Sequence, residues 1–160
     1  MINNKRIMTL IEIIEKIKNI AKKQVNVGYV GEGDIYELNS LPNVDYSVIY
    51  ITQSNHSVTP DLCEYTLNIF YVDRLFGDKS NRLTIHSHGI SIINNIINNL
   101  EMSEDVNVEY PVPFTTFNHR FADECAGVFC NVTLSVLPTM GCAEAYDDYN
   151  NDFNDDFLIY

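Results

Sequence analysis

Between Ala126 and Val136 the chain alternates without a break: Ala126, Val128, Cys130, Val132, Leu134 and Val136 are interleaved with Gly127, Phe129, Asn131, Thr133 and Ser135. A period of two sends successive side chains to opposite faces, so this run predicts a half-buried strand at the centre of a sheet. Such a strand is stable only if neighbours pair with it and an apolar layer covers its inner face. The remaining residues must supply both.

Two stretches carry helical periodicity. Ile7, Leu10, Ile11, Ile14, Ile17 and Ala21 recur at the 3.6-residue period, with Glu12 and Lys16 spaced as an i,i+4 pair and Lys22 and Lys23 at the end that favours cations. A second helix is predicted through SNRLTIHSHGISIINNIINNL, capped by Asp78 or Ser80. Its seam is Leu83, His86, Ile90, Ile93, Ile97 and Leu100, and Ile85, Ile92 and Ile96 widen it beyond what one contact to a sheet needs. Part of that stripe is therefore expected to face another subunit.

YSVIYIT and LCEYTLNIFYVD read as strands joined by a polar loop, QSNHSVTPD, that holds His56. In the second strand Cys63, Tyr65, Leu67, Ile69 and Tyr71 share a face opposite Glu64, Thr66 and Asn68, so one side is buried and the other is wet or meets a partner. VNVEYPVPF adds a further strand, and residues 111–122, with Pro111 and Pro113, read as an extended arm. The expected fold is α+β: an antiparallel sheet of about four to five strands with two helices packed on one face. Residues 1–137 form this single domain, and residues 138–160 form an acidic, aromatic C-terminal tail.

VNVGYVGEGDIYEL invites a nucleotide-loop reading, but its glycines run GxxGxG and no lysine follows. Asp34 to Leu38 alternates like a strand, so no helix N-terminus is expected to receive a phosphate. His86 and His88, two apart, point to different sides of a helix and do not form a metal pair. Cys63, Cys125, Cys130 and Cys142 contain no CxxC; Cys125 and Cys130 fall on opposite strand faces, so the thiols read as small apolar residues of a reducing compartment. No signal peptide or membrane span is apparent.

The net charge is −12, and half of it lies in residues 143–160, which hold Glu144, Asp147, Asp148, Asp152, Asp155 and Asp156 without a cation. No basic stripe is visible, which disfavours tight binding of nucleic acid through its phosphates.

HRFADEC, residues 119–125, is the stretch that most resembles a catalytic centre. On an extended segment His119, Phe121, Asp123 and Cys125 share one face, so a Cys–His dyad is conceivable. It lacks an orienting third group and a glycine-rich turn to receive an oxyanion, and no second histidine or carboxylate lies at metal-ligand spacing. The alternative is an interface role in which Arg120 pairs with Asp123 or Glu124, within the subunit or across a contact.

FYVDRLFGDKSNRLTIHSHGISIINNII and FTTFNHRFADECAGVFCNVTLSV, preceded by VGYVGEGDIYELNS, resemble the neck and tail-terminator ring proteins of tailed bacteriophages, most closely those of crAss-like phages. The resemblance spans roughly residues 7–137 in order. It implies a small α+β virion subunit, made in the host cytoplasm, that closes into a ring of six or twelve copies between portal and tail. Genomic DNA would pass through the lumen without sequence-specific binding. It implies adjacent portal, ring or tail proteins as partners, no catalytic residue, no cofactor and no membrane.

The tail after Pro138 departs from the family pattern. Its Phe153, Phe157 and Tyr160 suit either anchors for a neighbouring ring or a solubilising extension. The candidate interface is Arg120, Asp123, Glu124, Ile92, Ile96, Phe153, Phe157 and Tyr160. Rival readings are another adaptor position in the same neck and, from a different class, a small cytosolic enzyme using His119 with Asp123 or Cys125.

Overall fold

The computed structural model describes residues 8–40, 44–120 and 124–137; the tail therefore lies outside the described residues. The elements in order are α1 (Leu10–Lys22), β1 (Tyr29–Glu32), α2 (Ile35–Ser40), β2 (Val48–Val58), β3 (Cys63–Arg74), α3 (Arg82–Met102), β4 (Asn107–Glu109), β5 (Phe114–Arg120) and β6 (Cys125–Val136). Among the described residues the fold is α+β, with a mixed six-stranded sheet and three helices. The strands run β1-β2-β3-β6, and the far side of β6 is shared end to end by β4 and β5. β6 is central, as its alternation requires.

α1 starts with a capping box: the Glu12 amide donates to Thr9 Oγ1 at 3.3 Å and the Thr9 amide donates to Glu12 Oε2 at 3.2 Å. It buries Ile13, Ile14, Ile17 and Ala21, while Ile11, expected on that face, is 74% exposed. Lys16 reaches out of the helix to Asp105 at 2.6 Å. α3 buries Ile85, Gly89, Ile93, Ile96, Ile97 and Leu100, and leaves Leu83 and Ile90 exposed. This stripe is rotated from the expected seam because the helix turns its glycine to the sheet. A Cβ on Gly89 would stand 2.4 Å from Val128 Cγ1 and 2.8 Å from Tyr71 Cδ1, so glycine sets how closely α3 approaches β3 and β6.

The cap of α3 also differs from expectation. Asn81 occupies the N-cap without a side-chain bond to the helix; its Oδ1 accepts from the Phe76 amide at 2.8 Å and its Nδ2 donates to the Arg74 carbonyl at 2.9 Å. Asp78 is used one step earlier, accepting from the Ser80 amide at 3.1 Å. Both side chains fasten the β3–α3 connection instead of capping the helix.

Four further expectations are corrected. The sheet is mixed, because β1 lies parallel to β2 with Tyr29 opposite Val48 and Glu32 opposite Ile51. Parallel neighbours need a crossover, and α2 supplies it on the face away from α1 and α3. Asp34 to Leu38 is thus helical, not a strand. A helix this short carries too little period to read, and Ile35 and Leu38, three apart, meet one apolar cluster together. The polar QSNHSV belongs to β2, which pairs with β3 out to Val58↔Cys63 past an irregularity between Gln53 and His56. Its polarity reflects exposure at the end of a long hairpin rather than a loop. Within the expected arm, residues 114–120 are β5, paired with β6 from Phe114↔Cys130 to Arg120↔Cys125.

The core divides at the sheet. On one face α1 and α3 enclose Ile49, Ile51, Leu67, Ile69, Tyr71, Val128, Cys130, Val132 and Leu134. On the other, Val48, Tyr50, Phe70, Val72, Phe117 and Cys125 form a smaller cluster beneath Ile35, Leu38 and Tyr46. Cys125 and Cys130 therefore lie in different clusters on opposite faces. Each fully buried isoleucine or leucine contributes about 2–3 kcal/mol of transfer free energy, and the first face holds most of them.

Candidate functional site

HRFADEC is where β5 turns into β6. Arg120 and Cys125 are register partners, so the chain reverses between them and residues 119–125 do not run as one extended segment. The geometry assumed for a Cys–His dyad is thus overturned, and Cys125 itself is fully buried. Phe121 and Asp123 lie outside the described residues. Glu124 is exposed in the turn, and its carbonyl accepts from the Leu75 amide at 2.9 Å, tying the hairpin to the end of β3.

Of the other candidate interface residues, Ile96 is fully buried beneath α3 and offers nothing to a neighbour, which corrects its assignment to an outward stripe. Ile92 is half-buried at the margin of the core. Phe153, Phe157 and Tyr160 lie outside the described residues. His86 Nε2 donates to the Phe117 carbonyl at 3.2 Å, linking α3 to β5, whereas His88 is exposed. His56 sits on β2, exposed, with its ring 5.4 Å from that of Tyr65. Among the described residues no group of three or more His, Cys, Asp or Glu side chains is arranged to hold a metal ion. Among them too, no helix is long and apolar enough to cross a membrane.

What the register brings together is a surface that spacing alone does not reveal. On the face away from α1 and α3, Thr52, Asn68 and Asn131 stand opposite one another on β2, β3 and β6. Asn131 Nδ2 donates to Asn68 Oδ1 at 2.9 Å, and Asn68 Nδ2 donates to Thr52 Oγ1 at 3.3 Å. One row on, Thr66 and Thr133 share a hydroxyl bond at 2.8 Å. In the next, Ser135 Oγ donates to Glu109 Oε1 at 2.9 Å while Ser57 Oγ donates to Glu64 Oε2 at 3.1 Å. These rows are half-buried to exposed except for Thr52 and Ser135, which are buried. At the other end of the same face the rows turn aromatic: Phe70 stacks on Phe129 at 5.0 Å, and Phe117 lies 6.5 Å from Phe129.

A cleft of about 730 Å³ opens where this face meets α2, with Thr52, Gln53, Asn68 and Phe70 as floor and Glu32, Gly33, Asp34 and Glu37 as wall. Gly33 makes the corner at φ +148°, a conformation that other residues rarely adopt. The amides of Asp34, just before α2, and of Tyr36 and Glu37 within it are already occupied. The Asp34 amide donates to Glu37 Oε2 at 3.2 Å and the Tyr36 amide donates to Asp34 Oδ1 at 3.2 Å. The Tyr50 hydroxyl, pushed up to about 12 by burial and by neighbouring Glu37, stays protonated and donates to the same carboxylate at 3.4 Å. The cleft is therefore electronegative and excludes phosphate, for a reason different from the expected lack of a helix. It suits cationic or hydrogen-bonding side chains.

A second cleft of about 720 Å³ lies at the other end of the sheet, where the Arg74 guanidinium sits 4.7 Å over the Tyr46 ring beside Asp73, Asn81 and His88. No family model matches the chain, and no curated protein matches it.

Proposed function

We propose that this chain is a structural virion protein: a ring-forming subunit of the head-to-tail connector or tail terminator of a tailed phage, acting through its surfaces without a reaction or cofactor. The reading rests on the resemblance carried by residues 7–137. The observation that carries it is the open sheet face, where cross-strand polar rows run past half-buried Phe129 to a carboxylate-walled cleft. A face with satisfied polar rows beside apolar area is what a partly polar, specific protein contact uses.

The charge balance suits the same role. With 22 acidic residues against 10 Lys and Arg, a lumen made of this chain repels a DNA backbone and lets it slide. Mass photometry or sedimentation of the purified full chain tests the reading. A closed oligomer of six or twelve copies is expected, and a chain that stays single at high concentration ends it.

A further inference from the structure

We infer that neighbouring copies join head to tail, the outer side of α1 of one copy seating on the open sheet face of the next, against the Asp34–Glu37 wall. The inference rests on the ring reading and names the two surfaces that the ring uses.

The cations of this chain are segregated. All ten lie in residues 5–23, in residues 74–82 or at Arg120, so no Lys or Arg occurs between Gln24 and Asp73. α1 and its C-cap hold Lys16, Lys18, Lys22 and Lys23 against Glu12 and Glu15, with the lysines gathered toward the C-terminal end. Its Lys16 is committed to Asp105, and Lys18 makes only a 3.4 Å contact with exposed Glu15, which is weak in water. Lys22 and Lys23 are exposed, with Ile11 and Val25 standing 74% and 79% exposed near the two ends of the helix. On the other side, among the described residues, Asp34 and Glu37 take part in no ion pair, and Tyr36 of α2 is 77% exposed beside them.

A copy cannot satisfy its own charges. α1 packs on the face of the sheet that holds Ile49, Ile51 and Ile69, whereas α2 and the cleft lie on the face that holds Val48, Tyr50 and Phe70. The sheet stands between them. Complementary surfaces on opposite sides of one subunit do not make a two-fold pair, in which the same patch meets itself. They make a head-to-tail contact, which either closes as a ring or runs on as a filament. Charge complementarity with exposed apolar residues at both margins selects a second copy as the occupant.

The test uses the full chain in three forms: unmodified, Lys18→Glu with Lys22→Glu, and Glu37→Lys. Each charge-reversed form sets like charges against each other across the contact, so each should associate at least tenfold more weakly than the unmodified chain, with near-unchanged circular dichroism. Mixed in equal amounts, the two forms should regain assembly as alternating rings. Should Glu37→Lys unfold α2, Glu37→Gln, which removes the charge and keeps an accepting oxygen, carries the same comparison. Raising salt from about 0.1 M to about 1 M, which shortens screening from about 10 Å to about 3 Å, should loosen the unmodified oligomer.

Reversed forms that assemble as well as the unmodified chain, or a mixture that fails to recover, overturn the inference and leave the ring reading standing. An unmodified chain that stays single overturns both. Removal of residues 143–160 should leave assembly intact; its loss would assign the basic helix to the acidic tail and overturn the contact proposed here.

Discussion

The two faces of the sheet are made by the same strands and the same alternation, yet they end in different states. Where α1 and α3 lie, each inward position of β3 from Leu67 to Tyr71 and of β6 from Ala126 to Val136 is apolar and almost fully buried. On the reverse side the same strands change character midway, from Val72, Phe70 and Phe129 to Asn68, Asn131, Thr66 and Thr133. α2, six residues long, shelters only the first part. Alternation decides which face a residue joins, and the length of the covering helix decides whether that face is dry. Only the second decision leaves a surface for another molecule.

The comparison is broken most directly by emptying one position on each side of β6. Leu134 is fully buried under α3 and stands opposite Tyr65. Leu134→Ala should cost about 2–5 kcal/mol, because the helices and sheet around it cannot collapse into the space. Asn131→Ala, three residues earlier on the open face, should cost about 1 kcal/mol, since water can take over the bond to Asn68. Urea denaturation of both variants checks this, and equal losses would mean that the reverse side is as dry as the first.

Dryness can also be read by titration. Burial on the covered face pushes the Cys130 thiol from its ordinary 9.0 up to about 12. The folded chain then keeps a proton that the unfolded chain releases once pH passes 9, so this contribution is fully present below pH 9 and is lost as pH rises toward 12. Stability should fall with a slope approaching about 1.4 kcal/mol per pH unit from this group. Tyr50, raised to about 12 on the reverse face, adds to the loss above its ordinary 10.0. The urea midpoint of a Cys130→Ala variant should vary less steeply between about pH 8 and about pH 11 than that of the unmodified chain. An unchanged slope would show that Cys130 is not shielded in solution.

Much of the covered face was legible before any coordinates. The alternation from Ala126 to Val136 named the central strand and its inner residues, and the spacing of Ile14, Ile17 and Ala21 named one stripe of α1. What escaped depends on partners rather than on period. α2 is too short for a helical pattern, so its apolar pair Ile35 and Leu38 passed for alternation, and with it the parallel pairing of β1 was lost. The polar end of β2 reads as loop because nothing covers it. The rows Thr52–Asn68–Asn131 and Thr66–Thr133 needed a register that no single strand contains, although the polar side of each strand could be seen. In HRFADEC the dense set of reactive side chains was legible, whereas the reversal of the chain between Arg120 and Cys125 was not, because it depends on the pairing of β5 with β6.

The smallest effect gives the sharpest comparison. Thr66 and Thr133 bond only through their hydroxyls across β3 and β6, at 2.8 Å, and both are half-buried. Valine has nearly the shape of threonine and favours strands equally, so replacing both removes one hydrogen bond while orphaning neither partner. Thr66→Val with Thr133→Val should therefore change stability by less than about 0.5 kcal/mol, whereas either single change should cost about 0.5–1 kcal/mol. The difference between the double variant and the sum of the singles is the coupling across the row. If a single variant loses more than about 2 kcal/mol, the remaining hydroxyl has been stranded away from water. The open face would then already be closed in the isolated subunit, and a neighbouring copy would find no wet polar surface there to bind.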